Sequence, residues 1–394
     1  MRTLQEHNKL TLFPEGRIDT GNAAEAEREM TEAVNAAPGA ELVIDAGRLE
    51  YISSAGLRVL MKLRKQTGKP LDVVNVSPEV YEIFETTGFT ELLNVRKRLR
   101  EISVEGCEKI GQGGDGAVYR LDTDKIVKVY TPEKKMSDIE RERSFARTAF
   151  VNGVPSVIAY DTVRVGDCLG VVFELLKSDT LGHAMRDNPD KLGEYVAQYV
   201  DLARTLHNTH MPKGSLSDIR DIQRGRLERL SAWCSPEEIN TLKGIIDSIP
   251  ERDTVIHNDL HPGNIMIQNG ELVLIDMAEI SVGPTVFDLS SIYRDMVVGA
   301  RTNIATTEST IGMPVDMVEQ VAQMFFAQYT GITDPGELKA YFDRLTLIFA
   351  LNTVLFVGAG VAETERFAQH IMDNLLRPVV IPNEQAIRGL LQTM

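Results

Sequence analysis

His257-Asn258-Asp259-Leu260-His261-Pro262-Gly263-Asn264, followed by the apolar run Leu272-Val273-Leu274-Ile275 that ends in Asp276, is the stretch on which the reading of this chain turns. An acid, an amide five positions later, a short hairpin and a second acid form a set suited to phosphoryl transfer. In that chemistry Asp259 orients and deprotonates a hydroxyl, while Asn264 and Asp276 hold Mg²⁺ against a triphosphate. A solvated turn rich in His, Pro and Gly would also account for the octapeptide. A second piece of matching chemistry upstream separates the two readings.

That piece is Gly111-Gln112-Gly113-Gly114-Asp115-Gly116-Ala117-Val118, which fits G-x-G-x-x-G-x-V. Glycines let a backbone turn tightly and approach phosphates with no Cβ in the way. The pattern alone also marks dinucleotide sites. Here it leads into residues 117–121, a turn at Asp122-Thr123-Asp124 and residues 126–130. That predicts strand, hairpin, strand rather than strand, loop, helix. Lys128 stands between Val127 and Val129, so strand alternation turns it to the opposite face. It reads as the lysine that meets the phosphates of ATP. Its carboxylate partner is expected in the helical run 137–150, with Glu142 favoured and Glu140 the alternative.

From about residue 106 to the C-terminus the chain resembles the aminoglycoside phosphotransferase and choline kinase-like family, which has the α+β bilobal protein kinase-like fold. The resemblance implies Asp259 as catalytic base, with Asn264 and Asp276 as metal ligands. It makes Lys128 and Glu142 the phosphate-positioning pair, and Gly111 to Gly116 with Val118 the nucleotide loop. The run Gly170-Val171-Val172-Phe173-Glu174-Leu175-Leu176 is similar to the last small-lobe strand entering the hinge, so backbone groups from Glu174 to Leu176 would contact adenine. Asp288 corresponds to an acid that braces the catalytic loop; read alone, it could be a helix cap. Two positions depart from the family pattern. Asn258 replaces a usual Gly, and Met277 replaces a usual Trp or Phe. His257 is expected to brace the loop by bonding backbone near Asp276, and His261 to be structural. His207 and His210 are expected to be solvated or capping, although the family places a packing His near position 207.

Residues 1–100 follow a different logic. Short strands at 9–14, 41–45 and 71–76 alternate with helices at 22–37, 56–67 and from Pro78 to Gly88, which predicts a small α/β domain. Asn22, Ser53 or Ser54, and Ser77 are the candidate caps. The run Leu49-Glu50-Tyr51-Ile52-Ser53-Ser54-Ala55-Gly56-Leu57 resembles the STAS domain of anti-sigma-factor antagonists. That family is switched by phosphorylation at Asp-Ser-Ser/Thr-Gly, and here Ser53 replaces the Asp. Ser54 is the candidate phosphoacceptor, and a bare N-cap is the competing reading. The basic segment 96–106 is expected to be the junction. The domains then run 1–100 STAS-like, 101–176 small lobe with the Gly-rich loop, and 177–394 helical large lobe.

Composition agrees. The chain has 57 acids and 42 bases, a net charge of −15. The first hundred residues carry 15 acids and 14 bases, so nearly all the surplus lies in the remainder. This disfavours nucleic acid and eases the approach of a cationic or neutral acceptor. Three scattered cysteines, Cys107, Cys168 and Cys234, form no disulfide framework, and with the polar N-terminus they predict a cytoplasmic protein. The apolar run 345–362 is broken by Thr346, Asn352 and Thr353, and is expected to be a buried helix rather than a membrane span. Asp295, Glu319, Asp343 and Glu363 are candidate cation-binding acids whose simpler reading is a solvated face. Three functions compete. One is an ATP- and Mg²⁺-dependent kinase of a small hydroxylated molecule, with the STAS-like domain binding a protein partner. Another is a protein serine kinase acting on STAS-type regulators. The third is a non-catalytic nucleotide-binding adaptor. The full set of catalytic residues argues against the adaptor. The short path from Asp276 to Asp288 leaves little platform for a peptide acceptor.

Overall fold

Near-continuous apolar strands such as Glu41–Asp45 suit burial on both faces, as in a parallel sheet. The computed structural model describes residues 1–361 and 365–393, so Glu363 and the end of the 345–362 run lie outside the described residues. The chain divides into two compact units, Met1–Ile102 and Ser103–Met394.

In the first unit five strands run in the order Arg2–Glu6, Lys9–Phe13, Glu41–Asp45, Asp72–Val76, Asn94–Lys97. The first pair is antiparallel and the others are parallel. A separate parallel pair joins Glu15–Ile18 to Arg48–Ile52. Helices Ala23–Ala36, Ser54–Thr67 and Pro78–Thr86 share one core with the strands, centred on Leu12, Ile44, Leu60, Val73 and Phe84. Each such fully buried side chain contributes about 1.5–3 kcal/mol of transfer free energy. Ser53 caps the second helix by accepting the Gly56 N–H at 3.4 Å, and Gly68 closes it at φ +66°. Gly56 lets that helix sit hard on the strands: a Cβ there would lie 2.7 Å from Ile52 Cγ1 and 2.8 Å from Ile18 Cγ2. Ser77 caps the third helix, with Pro78 in its first turn. Asn22 caps nothing. Its side chain accepts from Asp19 N (2.9 Å) and donates to Arg17 O (2.7 Å), which ties the preceding turn instead. Arg96 and Lys97 belong to the last strand of this sheet, not to a linker.

In the second unit five strands pair antiparallel in the order Ala159–Val165, Cys168–Glu174, Lys125–Tyr130, Gly116–Arg120, Lys109–Gly113. Helix Met136–Val151 buries Ile139, Glu142, Ala146 and Ala149. Beyond Glu174 the chain is mostly helical. Helices Leu192–His207, Val286–Tyr293, Val315–Thr330 and Pro335–Phe356 build one large core, in which the rings of Tyr199 and Phe325 lie 4.4 Å apart. The stretch Pro335–Gly360 is long and apolar enough to cross a membrane. In this fold its Leu345, Ile348, Leu351, Val354 and Leu355 are buried in that core. Two short antiparallel strand pairs position the site. Val255–Ile256 pairs with Ser281–Val282, and Ile265–Gln268 with Glu271–Leu274. The second turns at Asn269 (φ +54°) and Gly270 (φ +86°), the residue types a tight primed turn demands.

Candidate active site

The Gly-rich loop is a strand, a turn at Gly114-Asp115 and a return strand. Gln112 staples it, donating from Nε2 to the carbonyls of Gly113 and Gly116, each at 3.2 Å. Asp115 is held by Lys134 at 2.9 Å. Its glycines answer different demands. At Gly116 (φ +155°) a Cβ would sit 2.0 Å from Val129 O, so the neighbouring strand requires glycine. Gly113 and Gly114 have negative φ and nothing within 4 Å of a Cβ, so the protein's own packing does not need them. What they keep open is the space above the loop. G116A is therefore expected to cost about 1–3 kcal/mol of stability, and G114A less than about 0.5 kcal/mol. Calorimetric melts of the two variants compare them directly; an unchanged melt for G116A would show that the strands yield without strain.

Val118 pairs with Lys128 across the next two strands. Lys128 Nζ lies 3.0 Å from Glu142 Oε1 and 3.3 Å from Asp276 Oδ1. The contact thus joins a strand, a helix and the loop after the 265–274 hairpin. Burial works to lower the Lys128 pKa, but Asp276 and Glu142 outweigh it and hold it above its ordinary value. Glu140 pairs instead with Arg143 at 2.8 Å.

The 257–264 loop is over-determined. Asp288, fully buried in the first turn of Val286–Tyr293, accepts from His257 N at 2.9 Å and Asn258 N at 2.5 Å. It is not the cap, a position held by Thr285. His207 is not solvated either. It is buried, with Nε2 3.0 Å from Asp288 Oδ2 and Nδ1 2.7 Å from Tyr329 Oη. An Nε2–H given to the carboxylate leaves Nδ1 to accept the tyrosine hydroxyl. His257 Nε2 donates to Ile275 O at 3.2 Å, next to Asp276. Tyr199 Oη donates to Leu260 O at 2.6 Å and ties the loop to the large core. Asn258 sits at φ +65°, a region in which Asn is the best tolerated substitute for Gly. Its Nδ2 donates to Glu279 O and Ser281 Oγ, each at 2.8 Å. Met277, in place of an aromatic ring, is buried and fills the loop's packing position with an adaptable side chain.

Asp259 emerges from this frame partly exposed. Asn264 Nδ2 donates to its Oδ2 at 2.8 Å and to its carbonyl at 3.0 Å. Arg294 Nη2 donates to Oδ1 at 2.6 Å, and His261 Nε2 lies 3.5 Å from Oδ2. Burial alone would raise the Asp259 pKa; His261 and Arg294 more than reverse this and hold the carboxyl well below its usual range. His261 Nδ1 accepts the Gly263 N–H at 3.2 Å, which aims Nε2 at Asp259. Ligand atoms of Asp259, His261 and Asp295 all fall within 4.8 Å of one another. Arg294 bridges the two carboxylates, so their charge is already met by a guanidinium.

The donor set fits a hard cation elsewhere. Asn264 commits its amide N–H groups to Asp259, which leaves Oδ1 as an oxygen donor. Asp276 is exposed, at φ +57°, and offers carboxylate oxygens. Oxygen donors of this kind, completed by water and phosphate oxygens, are what Mg²⁺ takes. At the hinge, the N–H groups of Glu174 and Leu175 already bond Ile158 O (3.1 Å) and Asp124 O (2.8 Å), and Leu176 N–H has no partner among the described residues.

Sequence reasoning missed Arg294. The signal was an Arg-Asp pair set in the apolar run from Val286 to Val298. Of the candidate acids, Asp295 holds Arg294, Glu319 lies 3.7 Å from Arg301, and Asp343 lies 3.1 Å from Lys339. His210 pairs with Asp253 at 2.9 Å on the surface. Ser54 is exposed in the first turn of its helix.

A STAS domain model matches residues 1–102. Over 84 residues the chain is 37% identical to "Putative anti-sigma factor antagonist BtrV" of Bordetella bronchiseptica, which covers 21% of this chain and 72% of that protein. Solved structures similar to the chain include the ADP-bound aminoglycoside phosphotransferase APH(2'')-Ib, at 14% identity and a TM-score of 0.45, covering 78% of this chain and 98% of that one. A choline/ethanolamine kinase family protein from Mesorhizobium loti gives 14% identity and a TM-score of 0.44, covering 72% and 92%. A family model described as the phosphotransferase enzyme family matches residues 106–341. The chain therefore belongs to the phosphotransferase enzyme family, and it carries a STAS domain ahead of the phosphotransferase unit.

Proposed function

We propose that the second unit moves the γ-phosphate of ATP to a hydroxyl of a small molecule. The observation that carries this is the convergence on Lys128: Glu142 at 3.0 Å and Asp276 at 3.3 Å come from a helix and a loop far apart in sequence. A half-buried ammonium fixed by two carboxylates is placed to meet phosphate oxygens. In this reading Asn264 Oδ1 and Asp276 hold Mg²⁺, which when bound neutralises triphosphate charge. The Gly111–Gly116 backbone covers the phosphates, and the Leu176 N–H receives adenine. Asp259 accepts a hydrogen bond from the acceptor hydroxyl and aligns its oxygen on the γ-phosphorus. The new O–P bond forms as the bond to the bridging oxygen breaks, ADP leaves with that electron pair, and the hydroxyl proton passes to Asp259. Its low pKa makes Asp259 an orienter first and a base late in the step. The test is a screen of purified full-length protein with Mg-ATP against alcohols and STAS proteins, read by mass. Calorimetry showing no Mg-ATP binding would sink the reading.

The STAS domain serves a protein partner in this scheme, contacted at the helix start 53–57. Partner and acceptor are both taken to be cytoplasmic, in keeping with the free cysteines. Exposed Ser54 suits phosphate at a helix N-terminus. S54E is expected to reduce partner capture in pull-downs from cell extract. Equal capture by S54E and wild type would leave Ser54 no switching role.

A further inference from the structure

The phosphoryl-transfer scheme leaves one charged group beside Asp259 unused. Arg294 opens a five-residue π-turn, Arg294–Val298, directly after the helix whose first turn carries Asp288. Such widened turns recur at functional sites. Arg294 Nη2 donates to Asp259 Oδ1 at 2.6 Å and to Asp295 Oδ2 at 2.8 Å, and Nε donates to Asp295 Oδ1 at 2.8 Å. Those bonds exhaust Nε and Nη2. Among the described residues Nη1 has no partner, so its two N–H groups are uncommitted. The side chain is 43% exposed beside an Asp259 that is 37% exposed, so these donors open toward solvent at the rim of the reacting carboxylate.

Arg226 is 16% exposed and paired with Glu279 at 3.0 Å. Burial lowers its pKa, the Glu279 carboxylate opposes this, and the charge of Arg294 adds a smaller lowering. The acidic surplus of this unit draws cations from a distance, but that field is screened beyond about 8 Å at physiological salt. At contact, the nearest charge decides. A cationic group on the acceptor would find the Asp259 and Asp295 carboxylates already engaged by Arg294. An anionic group would meet the two uncommitted Nη1 donors.

We propose that Arg294 is a specificity-determining residue that selects an anionic alcohol as acceptor, the anionic oxygen bound at Nη1 and the hydroxyl at Asp259. This rests on the phosphotransferase reading and names its substrate class. The transferred group and the fate of the proton are as given above; Arg294 binds and orients and takes no part in bond exchange. It also replaces the cationic or neutral acceptor that the overall charge suggests.

A size-matched series tests it with full-length protein and Mg-ATP: glycerate, glycerol 3-phosphate, glycerol and 3-amino-1,2-propanediol. They share a three-carbon chain and differ in charge, and the two anions separate carboxylate from phosphate recognition. At least one anion is expected to be phosphorylated with a kcat/KM tenfold or more above glycerol and the amine. R294Q should erase that preference mainly through KM, and R294K should restore part of it. A wild-type preference for the amine or glycerol, or an unchanged ratio in R294Q, overturns the proposal. So does transfer to none of the four by protein that binds Mg-ATP in calorimetry. Absence of Mg-ATP binding instead overturns the phosphotransferase reading beneath it.

Discussion

D259N is expected to lower phosphoryl transfer at saturating Mg-ATP by about 10²–10⁴-fold, the usual weight of a positioned acid–base group. The substitution keeps the shape and one acceptor oxygen, so Arg294 still finds a partner. It removes the charge that aligns the hydroxyl and receives its proton. The Lys128 contacts with Glu142 and Asp276 do not involve Asp259. Nucleotide affinity is therefore expected to stay within about threefold of wild type, well under the 1.4 kcal/mol that marks a tenfold change. Single-turnover rates and calorimetric Kd values, measured on one preparation with an acceptor from the screen, separate the two effects. Equal turnover by D259N and wild type would strip Asp259 of its role.

D288A is expected to cause the largest loss of stability among the residues discussed. The carboxylate is fully buried and accepts from two backbone N–H groups and the His207 ring. Truncation leaves three donors facing a cavity with no acceptor. Removing one partner from a buried charged network costs about 3–5 kcal/mol. At about 2–4 °C per kcal/mol for a unit of this size, the melt should fall by roughly 10 °C. D288N retains one acceptor oxygen but points an N–H₂ at a donor, and should fall between D288A and wild type. Turnover should drop with stability, because the same bonds hold the backbone beside Asp259. A D288A melt within 2 °C of wild type, on the order of a 1 kcal/mol change or less, would mean the loop is held by other contacts.

Chemistry at fixed spacing was legible in the sequence. Asp259, Asn264 and Asp276 lie on one loop and hairpin, and Gly111 to Gly116 form one turn, so neighbours in sequence are neighbours in space. Glu142 was reachable because strand alternation and helix periodicity each leave few choices. Arg294 was not, and for His207 only the family resemblance, which places a packing His there, pointed inward. Arg294 reaches Asp259 across 35 residues, and His207 reaches Asp288 across 81, through packing that no local pattern encodes. The strand Arg2–Glu6 escaped because it is exposed along its whole length and shows no alternation. Asn22 shows that a capping residue type before a helix is permission, not proof: its amide was taken by the turn behind it.

The conformation at Asn258 bears on how relatives of this chain should be sought. What the fold holds constant at that position is a dihedral angle, φ +65°, not a letter. Glycine meets it by having no side chain; asparagine meets it with a side chain that also fastens Glu279 and Ser281. A pattern that insists on glycine between His257 and Asp259 would discard proteins with the same backbone path. One that admits glycine or asparagine between the histidine and the aspartate, and refuses β-branched residues, selects on the constraint itself.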